Sequence, residues 1–172
     1  MSTTNGMGPD QVLDLNELLI RPIRADDKQA LKRGFARLSE RSRYRRFLAP
    51  HWQLMPDELR YLTEVDHRDH EALVAIDPRT NEGVGVARYV RSKQHPDTAE
   101  LAIAVVDGWQ RHGVGGRLAA ALATRAREQG IAHFSCLLLS DNELMRSLAD
   151  DLGDVRVVGH EAGTLELIID LV

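Results

Sequence analysis

An α/β domain of the α+β kind, with a mixed, largely antiparallel central sheet of about seven strands flanked by helices, is the fold this sequence predicts. Three observations carry that expectation. Short runs rich in Val, Ile, Leu and Ala are punctuated by Gly, Pro, Asn and Asp, as strands bounded by turns are. Their order along the chain is strand, helices, three strands, a glycine turn, helix, strand, helix and two strands, which is not the strict alternation of a doubly wound nucleotide-binding sheet. With 172 residues, 43% hydrophobic and 28% charged, the chain also has the size and composition for one hydrophobic core.

Each element follows from its residues. MSTTNGMGPDQ has neither the basic start nor the apolar stretch of a signal peptide, so residues 1–15 are read as a flexible N-terminal tail before a single domain over 16–172. LLIRPI (18–23) is a strand ended by Pro22, and Asp26 and Asp27 open a helix whose Leu31, Phe35 and Leu38 form one buried stripe. Ser39 caps a second piece, SERSRYRRFL, with Tyr44, Phe47 and Leu48 facing inward and its arginines read as the solvated side rather than as an anion site. MPDELRYLTEV (55–65) is a helix with Pro56 in its first turn. EALVAID and VGVARYVRS make a hairpin about PRTNEG, and AELAIAVVD (99–107) is the next strand. After QRHGVGG, the segment RLAAALATRAREQG reads as a helix ending at Gly130. HFSCLLL is a strand, and DNELMRSLADDLG a helix capped by Asp141 or Asn142. VRVVGH and TLELIIDL close the chain as a hairpin around Glu161 to Gly163. Trp52 and Trp109 are read as packing residues.

Composition narrows the function. A net charge of −4 argues against a nucleic-acid partner bound through a broad basic field. No apolar run is long enough to span a membrane, and one cysteine, Cys136, builds neither an intramolecular disulfide nor a thiolate metal site. A cytoplasmic protein with a buried, inert thiol is the expectation, and a homodimer is left open. The cluster Asp66, His67, Asp69 and His70 has metal-ligand side chains, yet it sits at a helix-to-strand connection and is read as a polar junction near the acceptor pocket; no metal is assigned.

The stretch QRHGVGGRL (110–118) is the most informative. A glycine turn leading into a helix exposes unpaired backbone N–H groups at the positive end of the helix dipole and suits a phosphate. Counting from Gly113, the last position of G-x-G-x-x-G is Leu118, so a dinucleotide fingerprint is absent. Gly116 is followed by Arg117 and Leu118, so a Walker loop is absent too. What remains is Q-x-x-G-x-G, with Gln110, Gly113 and Gly115.

Here the sequence resembles the GNAT family of acyl-CoA N-acyltransferases over residues 18 to 171, in element order and in its (Q/R)-x-x-G-x-(G/A) loop. The runs LSERSRYRRF, EVDHRDHEALVAI and AELAIAVVDGWQ resemble the catalytic domain of bacterial Pat-type protein-lysine acetyltransferases. The resemblance implies the GNAT fold, with acyl-CoA in the splay between strands 4 and 5 and acetyl-CoA as co-substrate. It implies that the strand Leu101 to Val106 pairs with the pantetheine arm, Val105 and Val106 lying nearest the loop. The amides of Arg111, His112, Gly113, Val114, Gly115 and Gly116 would hold the pyrophosphate, with Asn142 at the cofactor or as a helix cap.

An alkylammonium must lose a proton before it can attack a thioester, which calls for a base. Glu100 is a charge in an otherwise apolar strand, ten residues before Gln110, where the resemblance puts the general base; its bland reading is a surface residue at a strand edge. The tyrosine that many GNAT enzymes place seven residues after the helix-starting asparagine is replaced here by Ala149, so no side-chain acid is assigned. Two functions are therefore carried forward. One is acetyl transfer from acetyl-CoA to a primary amine, with a protein lysine as the implied acceptor; the other is a non-catalytic acyl-CoA-binding sensor.

Overall fold

The computed structural model describes residues 14–172, so most of the expected tail, residues 1–13, lies outside the described residues. Asp14 and Leu15 are described: the Asp14 side chain caps a short 3-10 turn over Leu15–Glu17, and Leu15 packs on the core. The elements then run β1 (Leu19–Pro22), α1 (Lys28–Ala36), α2 (Glu40–Phe47), α3 (Pro56–Thr63), β2 (His70–Asp77), β3 (Glu82–Arg91) and β4 (Thr98–Val105). After them come α4 (Val114–Glu128), β5 (His133–Leu139), α5 (Glu143–Leu152), β6 (Gly153–Glu161) and β7 (Thr164–Leu171).

All seven strands form one sheet in the order β1-β2-β3-β4-β5-β7-β6, and every neighbouring pair is antiparallel except β4 with β5. Hairpins can be closed by short turns, whereas a parallel neighbour needs a crossover, and α4 supplies it. The crossover helix buries Leu118, Leu122 and Ala126 against Tyr89, Leu101 and Phe134 on one face of the sheet, the main core. The opposite face of β2 to β4 carries α1 to α3, with a smaller cluster of Phe35, Leu38, Leu54, Leu59 and Leu62. Among the described residues no helix is long and apolar enough to cross a membrane.

Several expectations are corrected. Tyr44 is 41% exposed and Trp52 73% exposed, so neither packs inward, while Phe47 and Trp109 do. The arginines of α2 are not a uniformly wet face: Arg43 lies 4.4 Å over the Phe35 ring and Arg46 4.7 Å over Phe47, since a guanidinium can stack on an aromatic face while its stem covers apolar surface. The strand expected over 99–107 ends at Val105, because Val106 donates its N–H to Val84 O at 2.9 Å and the chain then turns through Asp107–Trp109. Helix α4 begins at Val114, so Gly115 and Gly116 belong to its first turn.

Candidate active site

The parallel β4–β5 ladder is only three pairs long: Thr98 with His133, Ala99 with Phe134, and Glu100 with Ser135. Beyond Glu100, β4 continues along β3 as far as Val105 opposite Gly85, and β5 continues along β7 as far as Leu139 opposite Thr164. The two strands thus part and leave a cleft of about 290 Å³ between them, lined by Ile103, Val105, Leu137, Met145 and Leu148 among others.

The glycine turn closes one end of this cleft. Gln110 Nε2 donates to Val105 O and to Ser42 Oγ, both at 3.0 Å, tying the turn to the end of β4 and to α2. Asp107 accepts from Ser39 N at 2.9 Å and Ser42 Oγ at 3.1 Å; burial works to raise its carboxyl, and these hydrogen bonds outweigh that and hold it below its ordinary value. The chain then reverses through two left-handed residues, Arg111 at φ 63° and Gly113 at φ 85°. Gly113 is required twice over, because a Cβ there would also sit 2.9 Å from Leu15 Cδ1. The first amide of α4 with a partner in the turn below is that of Arg117, which donates to Gly113 O at 3.1 Å. The N–H groups of Val114, Gly115 and Gly116 have no intrahelical acceptor and stand at the positive end of a 15-residue helix. A Cβ on Gly115 would press on Leu148 at 3.3 Å and Val105 at 3.6 Å, whereas one on Gly116 would meet nothing within 4 Å. A helix N-terminus with open amides, bare of side chains and facing a cleft, fits a pyrophosphate.

Of the residues expected to bind the cofactor, Val105, Gln110, Arg111, Gly113, Gly115, Gly116 and Asn142 all line the cleft. Three do not. His112 is exposed outside it, Val114 buries its side chain in the core and can offer only its amide, and Val106 faces away, its N–H already spent on β3. Asn142 Oδ1 accepts from Met145 N at 3.2 Å, so its oxygen caps α5. Ala149 is fully buried, and α5 presents no acidic hydroxyl at that position.

Glu100 lies at the last rung before the strands part, opposite Val90 on β3 and Ser135 on β5, and not at a sheet edge. Directly opposed residues of an antiparallel pair share a face, which groups Glu100 and Ala102 with Val90 and Arg88, and those with His70 and Ala72. Glu100 is exposed to a cavity of about 300 Å³ beneath α2 and α3, lined also by Arg46, Phe47, Glu58, Tyr61 and Arg88. It makes no side-chain hydrogen bond or ion pair with any described residue, so its carboxylate is free for an incoming group.

Two arginines stand beside it: Arg46, whose run was expected to be the solvated side of α2, and Arg88, which was not among the expected site residues. Desolvation lowers the Arg46 guanidinium and the charge of Glu100 pulls the other way; Arg46 lines both the cleft and the Glu100 cavity. Arg88 is 4% exposed and pushed down to about 9, first by burial and then by Arg46. Its Nη1 donates to Leu62 O and to His70 Nε2, each at 3.0 Å, so the His70 proton sits on Nδ1. Burial, followed by Arg88, pushes His70 down to about 4. The signal for Arg88 was available: it stands between Ala87 and Tyr89 in an apolar strand, the same pattern that drew attention to Glu100.

The histidine and aspartate cluster is consumed structurally. Asp66 Oδ1 accepts the N–H groups of Arg68, Asp69 and His70 at 3.0, 2.9 and 2.9 Å, and these bonds, that from His70 foremost, lower its carboxyl. Asp69 pairs with Arg91 at 2.9 Å, and His67 Nδ1 with the buried Glu71 at 2.7 Å. Among the described residues no group of three or more His, Cys, Asp or Glu is arranged to hold a metal. Cys136 lies at the cleft wall and is pushed up to about 12, by burial first and then by Glu100. Alkylation of the native protein by iodoacetamide at pH 7.5 should therefore run about 10³-fold slower than for a free cysteine, and become fast on unfolding. Fast labelling of the folded protein would contradict the burial of this thiol.

A parted parallel pair with a glycine-bearing helix start at its mouth defines a class of acyl-CoA enzyme. The model of the acetyltransferase (GNAT) family matches residues 34–153, and the chain belongs to that family, a family of N-acetyltransferases with acetyl-CoA as co-substrate. It is 34% identical over 152 residues to acetyltransferase Pat of Mycolicibacterium smegmatis, a match covering 87% of this chain and 44% of that protein. The chain thus spans less than half the length of that relative. With acetyltransferase PA5475 of Pseudomonas aeruginosa it shares 30% identity over 144 residues, covering 83% of this chain and 77% of the other. The crystal structure of the GNAT domain of S. lividans PAT superposes with a TM-score of 0.81 at 27% identity, over 93% of this chain and all of that one (100%). The mixed seven-stranded sheet, with β4 parallel to β5, is the GNAT fold.

Proposed function

We propose that this chain transfers an acetyl group from acetyl-CoA to a primary amine, with Glu100 as general base and a protein lysine as acceptor. The carrying observation is the meeting of two spaces where β4 and β5 part: the cleft that ends on the open amides of α4, and the cavity that holds an unpartnered carboxylate. The bound co-substrate supplies an activated thioester. The amides of Val114, Gly115 and Gly116 hold its pyrophosphate, while the edges of the parted strands are free to pair with its arm. A lysine ammonium, with a pKa of about 10.4, is deprotonated in only about one molecule in 2,500 at pH 7. Glu100 accepts that proton, directly or through water, as the amine moves in. The lysine acceptor follows from the resemblance to Pat-type enzymes and is supported by the 34% identity to acetyltransferase Pat.

The competing reading, an acyl-CoA sensor without turnover, is favoured by Ala149, which offers the departing thiolate no side-chain acid. Thiol release from acetyl-CoA across a panel of lysine proteins, amino acids, polyamines and aminoglycosides decides between them. The expected result is release that depends on a lysine-bearing acceptor, with acetyl-lysine in the product. Tight acetyl-CoA binding with no acceptor turned over would favour the sensor.

A further inference from the structure

Arg88 is buried on the floor of the Glu100 cavity and forms no ion pair. The partners of its Nη1, the Leu62 carbonyl and the neutral His70 ring, carry no charge, and Nε and Nη2 have no hydrogen-bond partner among the described residues. Arg46 lines the same floor and is likewise free of any ion pair within 4.0 Å, although it feels the field of Glu100. The other carboxylate of the lining is spent elsewhere: Glu58 Oε2 accepts Met55 N at 2.9 Å and Oε1 meets His51 Nε2 at 2.9 Å. Two guanidiniums therefore face one free carboxylate, in a cavity otherwise walled by Phe47, Tyr61, Leu62, Val90 and Ala102. A desolvated cation without an anion is costly, and a guanidinium fork matches a carboxylate in two parallel hydrogen bonds.

We propose that Arg88 and Arg46 form a carboxylate subsite for the acceptor, so that the preferred amine carries a carboxylate a few bonds away. The proposal rests on the transferase reading and adds the class of acceptor to it. Sheet register supports the spacing. Glu100 stands opposite Val90 while Arg88 stands opposite Ala102, so Glu100 and Arg88 are diagonal neighbours on one face, typically about 7–8 Å apart between backbones. An amine at Glu100 and a carboxylate at Arg88 can therefore belong to one short molecule, or to a lysine and an acidic side chain beside it in a peptide.

Acetylation rates of matched acceptors test this. Nα-acetyl-lysine is compared with its amide, and a lysine peptide flanked by Glu with the same peptide flanked by Gln; the two pairs distinguish a free carboxylate from a side-chain one. The carboxylate member of at least one pair should have kcat/KM about 10- to 100-fold above its neutral twin, and R88M should bring that ratio close to one. R46M provides the same reading should R88M not fold, and stabilisation by acetyl-CoA reports folding in each variant. Glutarate, which has no amine, should raise the thermal stability of the native protein and not of R88M. Amines acetylated without regard to the carboxylate would overturn the subsite and leave the transferase standing. Glutarate bound through Arg88 with no amine acetylated would keep the subsite and remove the transferase.

Discussion

Glu100→Gln should leave acetyl-CoA binding intact and lower turnover at neutral pH by about 10²- to 10⁴-fold, the usual cost of losing a general base. Glutamine keeps the size and the hydrogen-bonding oxygen of Glu100 but cannot hold the proton. The defect should also depend on pH in one direction. As pH rises toward the amine's own pKa of about 10.4, a growing share of acceptor arrives deprotonated and needs no base, so the ratio of native to variant rate falls. A purely structural lesion would lower the rate without that recovery. Glu100 has no hydrogen bond or ion pair to lose, but its charge supports the desolvated Arg46, so the substitution should cost some stability, and retained acetyl-CoA binding shows that the variant is folded. Full activity of the variant at neutral pH would remove Glu100 from the chemistry.

The second large effect concerns the turn. Coenzyme A at a hundred times its dissociation constant should stabilise the native protein by about 2.7 kcal/mol, whereas pantetheine, which has no pyrophosphate, should stabilise it far less. Gly115→Val should abolish the shift from coenzyme A. Its backbone is an ordinary first helical turn, so the added side chain acts by crowding Leu148 and Val105 and covering the open amides. Gly113→Val should abolish it as well but with a loss of intrinsic stability, since φ 85° strains any residue with a Cβ and Leu15 already occupies the space. Equal shifts from pantetheine and coenzyme A would overturn the role of the turn.

Element order, strand edges and caps were legible because they rest on local chemistry. Ser39 and Asn142 cap α2 and α5, Pro56 opens α3, and Gly130 at φ 76° follows α4. The glycine turn was legible for the same reason, its backbone geometry being contained in consecutive residues. What escaped depends on neighbours distant in sequence. Whether Arg43 on α2 meets water or an aromatic ring is decided by Phe35 on α1, and Trp52 is 73% exposed because no described residue covers it. The resemblance placed Val106 beside Val105 at the cleft, yet the strand ends at Val105 and the Val106 N–H is spent on Val84 O. The arginine pair required the packing of α2 over β3 and β4 before its members could be seen to share one floor.

The shortness of the β4–β5 ladder leaves the sheet open on one side of Glu100. A sheet normally behaves as one plate, but here a plate of four strands and a plate of three are joined edge to edge by three rungs, with Glu100 on the last of them. Beyond the seam the facing edges of β4 and β5 are no longer paired with each other, while one core under α4 spans both parts of the sheet. Whatever fills the gap and pairs with both exposed edges becomes an eighth strand in effect. Glu100 stands at the point where the paired rungs end and the gap begins.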